Sequence, residues 1–409
     1  LLIRLGKIKT GYAMVDIVYS IPFGTNEYIA LIQTFLEEFE FETHIHVDLS
    51  VFPEWTERME LNRIALNHQG PDVSHLGTTW IRELTMMNSL RPFAEGELES
   101  LGGQGEFFTG AVQSCMVGND PTLWAVPLMV EATMISFRKD WLERAEVDRA
   151  DAFGSLAGLN RAALKLAQAG VDLPVELPGA NLWNLFHSLS GWIWSAGLDY
   201  CTENGKRVTI DQPEVMRVFG DYLRLIRAMS EKGRKLFAEQ MEIYFVRGKS
   251  GVVLFPFTRR LSGGPIPEEV VKNWYAAPYP VCGAIGGQNL VIWNHTHYPG
   301  ACVELVRYLT SAPVQKRILQ HLSRLPARMK IYQDPELERD PVFDAQIEAL
   351  QTGRTYPNVA QWGVVEDRLA HALVQLKTEI VQDAGLDIDQ AVRRSLQPLA
   401  RRLNLTLAG

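Results

Sequence analysis

The 409-residue chain has only four cysteines, Cys115, Cys201, Cys282 and Cys302, and they are scattered with no CxxC spacing. This excludes a cysteine zinc motif and a disulfide-dense scaffold. It leaves the compartment open, because export neither requires disulfides nor is prevented by isolated thiols. No apolar run reaches the ~20 residues that a membrane span needs. Positive charge is in deficit as well. Forty Lys and Arg stand against 48 Asp and Glu, a formal net charge of −8, and no basic helical face supplies the footprint of a nucleic-acid binder. The first residues, LLIRLGKIKTGYAM, lack the apolar core and small-residue cleavage site of a secretion signal. Either a signal has been removed, or the segment belongs to a longer protein.

What is present is ordinary soluble composition, 46% hydrophobic and 22% charged, in a chain long enough for two or more domains with substantial cores. Ten tryptophans are more flat apolar surface than a core of this size requires. From residue 15 the pattern alternates. A short strand, Val15–Tyr19, precedes a helix at 27–39 with Tyr28, Ile32, Phe35, Leu36 and Phe39 on one stripe. Period two over 44–51 gives a strand. Trp55, Met59 and Leu66 mark a second helix, and Pro71–Leu76 gives a third strand. This β-α-β-α-β order predicts an open, mostly parallel sheet with helices on both faces.

Ligands of such sheets bind at the carboxyl ends of strands. Here that end is Gly77-Thr78-Thr79-Trp80, before a helix at 81–87. Thr78 or Thr79 is the expected cap of that helix. Trp80 either projects into a crevice or packs as the first core residue of the helix. Residues 94–122, rich in glycine and short polar residues, read as a loose connection, and GGQG at 102–105 lacks phosphate-loop spacing.

The stretch Leu123–Leu142, LWAVPLMVEATMISFRKDWL, reads as an extended crossing with one carboxylate, Glu131, in an apolar run. Pro127 holds Val126 away from the helical region. Asp140, with Glu143 three residues on, forms a capping-box pattern for a helix from Trp141. Burying a lone carboxylate is costly unless something donates to it. Glu131 is therefore either a surface residue at a strand end or an acceptor facing a polar ligand.

The remainder is mainly helical. Asn181 caps a helix carrying Trp183, Phe186, Ser190 and Trp194, with Trp192 off the stripe. Arg207–Ile210 reads as a short strand, Pro213 opens a long amphipathic helix that ends at Lys232-Gly233, and Gly251–Phe257 is a buried-type strand. Gly286-Gly287-Gln288-Asn289 leads into the strand Leu290–Trp293. Two further helices end at Leu322, RLPAR (324–328) is a non-helical link, and apolar stripes at Val365–Ile380 and Ile388–Leu399 give two last helices.

Two HxH pairs, His44/His46 and His295/His297, have no third ligand nearby and read as exposed histidines rather than a metal site. Glu131 lacks the sequence-local acid of a glycosidase pair, and Ser250 lacks a nucleophile elbow. Neither an enzyme nor a cofactor is expected.

In its order of segments the chain resembles the extracellular solute-binding proteins of ABC transporters, in the sugar-binding branch. The carriers are DVSHLGTTWIRELTMMNSLRPF (72–93), WAVPLMVEATMISFRKDWLERA (124–145), VTIDQPEVMRVFGDYL (208–223) and FVRGKSGVVLFPF (245–257). With them go YAAPYP and GGQNLVIW (275–280, 286–293), YLTSAPVQKRIL (308–319), SRLPAR (323–328) and TYPNVAQWGVVEDRL (355–369).

The resemblance implies a two-lobed, periplasmic-binding-protein-like α/β fold, each lobe a mostly parallel sheet flanked by helices, with the ligand in a cleft at the hinge. Lobe 1 would comprise 1–125 and 281–324, and a helix-rich lobe 2 would comprise 126–280 and 325–409. The chain would be a monomer that carries a sugar to ABC permease subunits. It would work in the periplasm or outside the cell, lipid-anchored in some full-length forms. Glu131 then becomes an acid bonding sugar hydroxyls, and Thr78, Thr79, Trp80, Trp192, Trp194, Gly287, Gln288, Asn289 and Trp362 fall at ligand positions. Where the family often has Gly-Trp after the 251–257 strand, this chain has Pro256-Phe257-Thr258-Arg259-Arg260, so Arg259 faces either an acidic sugar or solvent. Alternatives are a sugar-sensing domain of a larger regulator, or a binder of another small polar solute or a metal.

Overall fold

A computed structural model describes residues 15–22, 24–53, 56–118, 120–180, 182–202, 205–255, 266–322, 324–337, 339–357, 359 and 361–408. Their strands are, in order, β1 (Val15–Ile21), β2 (Ile45–Val51), β3 (Val73–Gly77), β4 (Leu90–Arg91), β5 (Val126–Ala132), β6 (Met134–Arg138), β7 (Leu173–Glu176), β8 (Ser250–Val253), β9 (Trp274–Pro278), β10 (Ile285–Trp293) and β11 (Leu325–Pro326). They form two sheets. One has the order β11-β5-β10-β3-β1-β2 with β4 beside β10, and the other has the order β7-β8-β6-β9.

The chain divides into two compact units. The first holds Leu1–Glu131, Gly286–Leu337 and Asn358–Gly363; the second holds Ala132–Ile285, Glu338–Pro357 and Val364–Gly409. Residues 325–337 are thus grouped with the first unit.

In the first unit β1 pairs in parallel with β2 and β3. The connections are helices Asn26–Thr43 and Glu57–Asn67. Thr25 caps the first of these, its hydroxyl accepting from the Tyr28 N–H at 3.2 Å, and Ile32, Phe35, Leu36 and Phe39 are its buried stripe. The long strand β10 enters this sheet antiparallel to β3. It extends five residues upstream of Leu290, so Gly286–Asn289 are part of a strand rather than a lead-in loop.

In the second unit β7 and β8 are parallel, while β6 runs antiparallel to both β8 and β9, so this sheet is mixed and not the mostly parallel sheet expected. Met134, Phe245, Val253 and Trp274 lie in its core. Helix Pro213–Ala228 buries Val215, Met216, Phe219, Leu223 and Ile226. The two last helices, Trp362–Gln382 and Ile388–Ala408, bury the stripes Val365, Leu369, Leu373, Leu376, Ile380 and Ile388, Val392, Leu396, Leu399.

Four local expectations are corrected. Asp140 is not a helix cap: Arg138 occupies that place and donates from Nε to Asp140 Oδ1 at 2.9 Å, so the helix runs Lys139–Arg144. Among the described residues Arg207–Ile210 makes one isolated bridge rather than a strand, Val208 with Cys201. It is closed by the Thr202 N–H to the Arg207 carbonyl and the Thr209 N–H to the Tyr200 carbonyl at 2.8 Å each, while the Val208 N–H donates to the Asn404 side chain. The long helix ends at Ala228, where Met229 turns extended. Residues 94–122 contain two helices, Glu95–Ser100 and Thr109–Ser114. The buried Arg328 ties this stretch down, donating to the Leu101 and Thr310 carbonyls and lying 4.9 Å from the Phe107 ring. The expected cap Asn181, like Trp55, lies outside the described residues.

Candidate functional site

Strand register assembles the candidate site on the first unit. Across β3 and β10, Gln288 faces Gly77, Asn289 faces Leu76 and Leu290 faces His75. Beyond Gly77 the chain tightens into a 3₁₀ turn, Thr78–Trp80, before helix Ile81–Met86. Gly77 precedes the turn and Trp80 is the cap residue of the helix, and neither threonine makes a capping bond, which corrects the expected threonine cap. The indole instead folds back over Gly77. A Cβ added there would meet Trp80 Cδ1 and Nε1 at 3.0 Å. Trp80 remains half-buried, with the Arg58 guanidinium 5.5 Å from its ring centroid. Thr78 is buried and Thr79 half-buried.

On the other side of β10 lies β5. Glu131 is exposed near its end and has no hydrogen-bond or ion-pair partner among the described residues. Its carboxylate stands over Gly286, with Oε1 3.6 Å from where a Cβ on that residue would be. Gly287 adopts φ +127°, and a Cβ there would lie 2.2 Å from the Met129 carbonyl oxygen. Only glycine lets β10 approach β5 at this point. One end of the β5–β10–β3 ladder thus carries an unpaired carboxylate, a half-buried carboxamide and a half-buried indole.

Residues the sequence reading passed over complete this face. His75 is fully buried, with Nε2 2.5 Å from Gln288 Oε1 and Nδ1 2.7 Å from the Tyr28 hydroxyl. Burial pushes its pKa down to about 4, against the bond to Gln288 and assisted by the positive charge of Arg324. Burial likewise raises that of Tyr28, and Arg324 opposes it. Arg324 directly precedes Leu325, which pairs with Val130, so it continues the β11–β5 register opposite Glu131. Glu57 accepts a bond from the Gly77 backbone N–H, and its burial nevertheless pushes its pKa up to about 7.

Other expected positions have different surroundings. Asn289 is fully buried and donates from Nδ2 to Ser114 Oγ at 3.0 Å, on the face opposite Gln288. Trp192 and Trp194 are each 3% exposed and engaged within the second unit. Trp192 packs edge-on against Tyr279. Trp194 donates to Asp199, packs on Tyr356 and lies under the Arg354 guanidinium. Trp362 is fully buried at the start of its helix. Arg259 lies outside the described residues.

The HxH pairs have separate local partners. His44 is the left-handed cap of helix Asn26–Thr43, while His46 sits between Glu40 at 2.8 Å and Asp48 at 3.4 Å. His295 lies 3.1 Å from the Pro71 carbonyl. Among the described residues no three His, Cys, Asp or Glu are placed to hold a metal ion.

Solved structures share this architecture along nearly its whole length. The sugar-binding protein MalE from the phytopathogen Xanthomonas citri is 21% identical with a TM-score of 0.76, covering 96% of this chain and 98% of its own. Maltose-bound T. maritima MalE3 is 22% identical with a TM-score of 0.77, covering 95% and 100%. The GacH receptor of Streptomyces glaucescens, solved unliganded and with acarbose, is 20% identical with a TM-score of 0.74, covering 96% and 99%. No curated protein sequence matches.

The architecture is therefore the two-lobed, periplasmic-binding-protein-like α/β fold. The chain belongs to the family of bacterial extracellular solute-binding proteins, whose sequence model matches residues 24–316. It is a binding protein and not an enzyme. Among the described residues no helix is long and apolar enough to cross a membrane.

Proposed function

We propose that the protein binds a carbohydrate, a mono- or oligosaccharide, and delivers it by hinge closure to the permease subunits of an ABC importer, working in the periplasm or outside the cell. The observation that carries this reading is the end of the β5–β10–β3 ladder, with Glu131, Gln288 and Trp80 on three adjacent strands or their continuations. An indole covers the apolar C–H face of a pyranose, while a carboxylate and an amide satisfy its hydroxyls. Hydroxyls left unmatched away from water are penalised by ~1–3 kcal/mol each. Similar structures described as holding maltose or acarbose support the same ligand class. Thr78 and Thr79 shape the turn that carries Trp80, and Gly287 brings Gln288 into place. In the second unit Trp192 and Trp194 would support the ligand-facing surface through Tyr279 and Tyr356.

Closure requires no chemistry: a ligand that touches both lobes binds the closed state better and shifts the population toward it. The test is calorimetric titration with glucose, maltose, maltotriose and a wider saccharide panel, together with small-angle scattering. The expected result is stoichiometric binding of at least one saccharide, recovered unchanged, with compaction of the protein. Binding of a metal or amino acid and of no saccharide would overturn the reading.

A further inference from the structure

The geometry behind Gln288 sets the polarity of the carbohydrate site proposed above, and the inference rests on that reading. Gln288 faces Gly77 and Leu290 faces His75 in an antiparallel pair. The Gln288 and His75 side chains therefore share a face and meet diagonally. Each nitrogen of the buried imidazole has one partner, Nδ1 with the Tyr28 hydroxyl and Nε2 with the Gln288 carboxamide.

A neutral imidazole has a single N–H, so only two arrangements satisfy both contacts. In one, Tyr28 O–H donates to Nδ1, and Nε2–H donates to the Gln288 oxygen. In the other, Nδ1–H donates to the phenol oxygen, and the carboxamide turns round to donate an N–H to Nε2. The first matches the better donor and the better acceptor at both contacts. A phenol O–H donates more strongly than an amide N–H, and an amide oxygen accepts more strongly than a phenol oxygen. The nearby positive charge of Arg324 adds to the bias, since it makes the phenol more acidic and disfavours a charged ring.

We infer that His75 is a positioning residue: held between Tyr28 and Gln288, it fixes the Gln288 carboxamide with its oxygen inward and its NH2 outward. The half-buried amide nitrogen has no partner among the described residues. The face then offers a donor at Gln288 and an acceptor at Glu131, whose carboxylate stands over Gly286 two residues away. Neighbouring hydroxyls of a sugar fit this pattern, one accepting from Gln288 while the next donates to Glu131.

The tautomer decides the inference and needs no ligand. Long-range ¹H–¹⁵N correlation spectra of the whole chain labelled in histidine should show a neutral, Nε2-protonated ring for His75. That signal is identified by the shift of its Nδ1 resonance in Tyr28→Phe, which keeps the ring shape and removes one donor. An Nδ1-protonated or a charged ring would overturn it. The second arm uses whichever of glucose, maltose and maltotriose binds the wild type most tightly. Gln288→Glu keeps the acceptor for Nε2–H but turns an oxygen outward, and should weaken binding at least about tenfold. Unchanged affinity would overturn the donor role. A wild type that binds none of the saccharide panel defeats the carbohydrate reading, whereas the tautomer still decides how Gln288 is held.

Discussion

Glu131 turns its carboxylate over Gly286, where the absence of a side chain leaves Oε1 3.6 Å from the position a Cβ would take. It is exposed and makes no hydrogen bond or ion pair among the described residues, so no contact described there depends on its charge. Glu131→Ala should therefore leave ligand-free stability nearly unchanged. Loss of a charge-assisted bond to a sugar hydroxyl, about 1.5–3 kcal/mol, should weaken saccharide binding about ten- to a hundredfold in calorimetry. Full affinity with a lowered melting temperature would make Glu131 a structural residue.

Trp80 offers a half-buried ring above Gly77, with Arg58 alongside. Saccharide should shift the tryptophan emission of the wild type. Trp80→Ala should abolish that shift and reduce affinity by about 2 kcal/mol, or about thirtyfold. A variant that unfolds while retaining the affinity of its folded fraction would place the ring in the core.

Gly287 combines φ +127° with a 2.2 Å approach to the Met129 carbonyl. Gly287→Ala adds backbone strain to a steric clash, each costing about 1–3 kcal/mol. Urea denaturation should show a loss of about 2–6 kcal/mol with an unchanged slope. A loss below about 0.5 kcal/mol would mean that the strands separate freely there.

Glu176, on β7, is fully buried; Ser250 donates to one carboxylate oxygen, and the other has no partner among the described residues. Burial pushes its pKa up to about 7, against the Ser250 bond and the charge of Lys232. An acid with a raised folded-state pKa holds its proton in the fold while the unfolded chain has already lost it. Its contribution to stability therefore falls as pH rises from about 4.5 to 7. The change is up to about 3 kcal/mol by the linkage of pKa to free energy. Glu176→Gln should flatten this part of the pH–stability curve and be the more stable protein at pH 8. Parallel curves for the two proteins would show that Glu176 is ionised in the fold.

The local periodicities were legible because their physics is local. The stripe Ile32, Phe35, Leu36, Phe39 needs only a 3.6-residue repeat. The lone carboxylate of Glu131 and the strand end at Gly77 likewise stand out in a one-dimensional reading. The contacts around His75 do not, since its partners are 47 and 213 residues away. The same holds for Glu57, which opens a helix and is bonded to the backbone N–H of Gly77, twenty residues away at the end of a strand. Short-range rules failed where a nearby or distant side chain competed with them. Arg138 took Asp140 out of its capping role, and Arg328 ordered a glycine-rich stretch that reads as loose. The tryptophans of the helix Leu182–Ser195 were conspicuous in sequence, yet both Trp192 and Trp194 are buried against tyrosines.

The central claim is that a saccharide engages Glu131 and Trp80. The most direct test is a thermal-shift titration of the wild type, Glu131→Ala and Trp80→Ala against the same mono-, di- and oligosaccharide panel. A ligand bound only by the folded state raises stability by RT ln(1 + [L]/Kd). The account predicts a concentration-dependent rise for at least one saccharide in the wild type and a much smaller one in both variants, at equal ligand-free folding. No rise with any saccharide, or an equal rise in all three proteins, would contradict it.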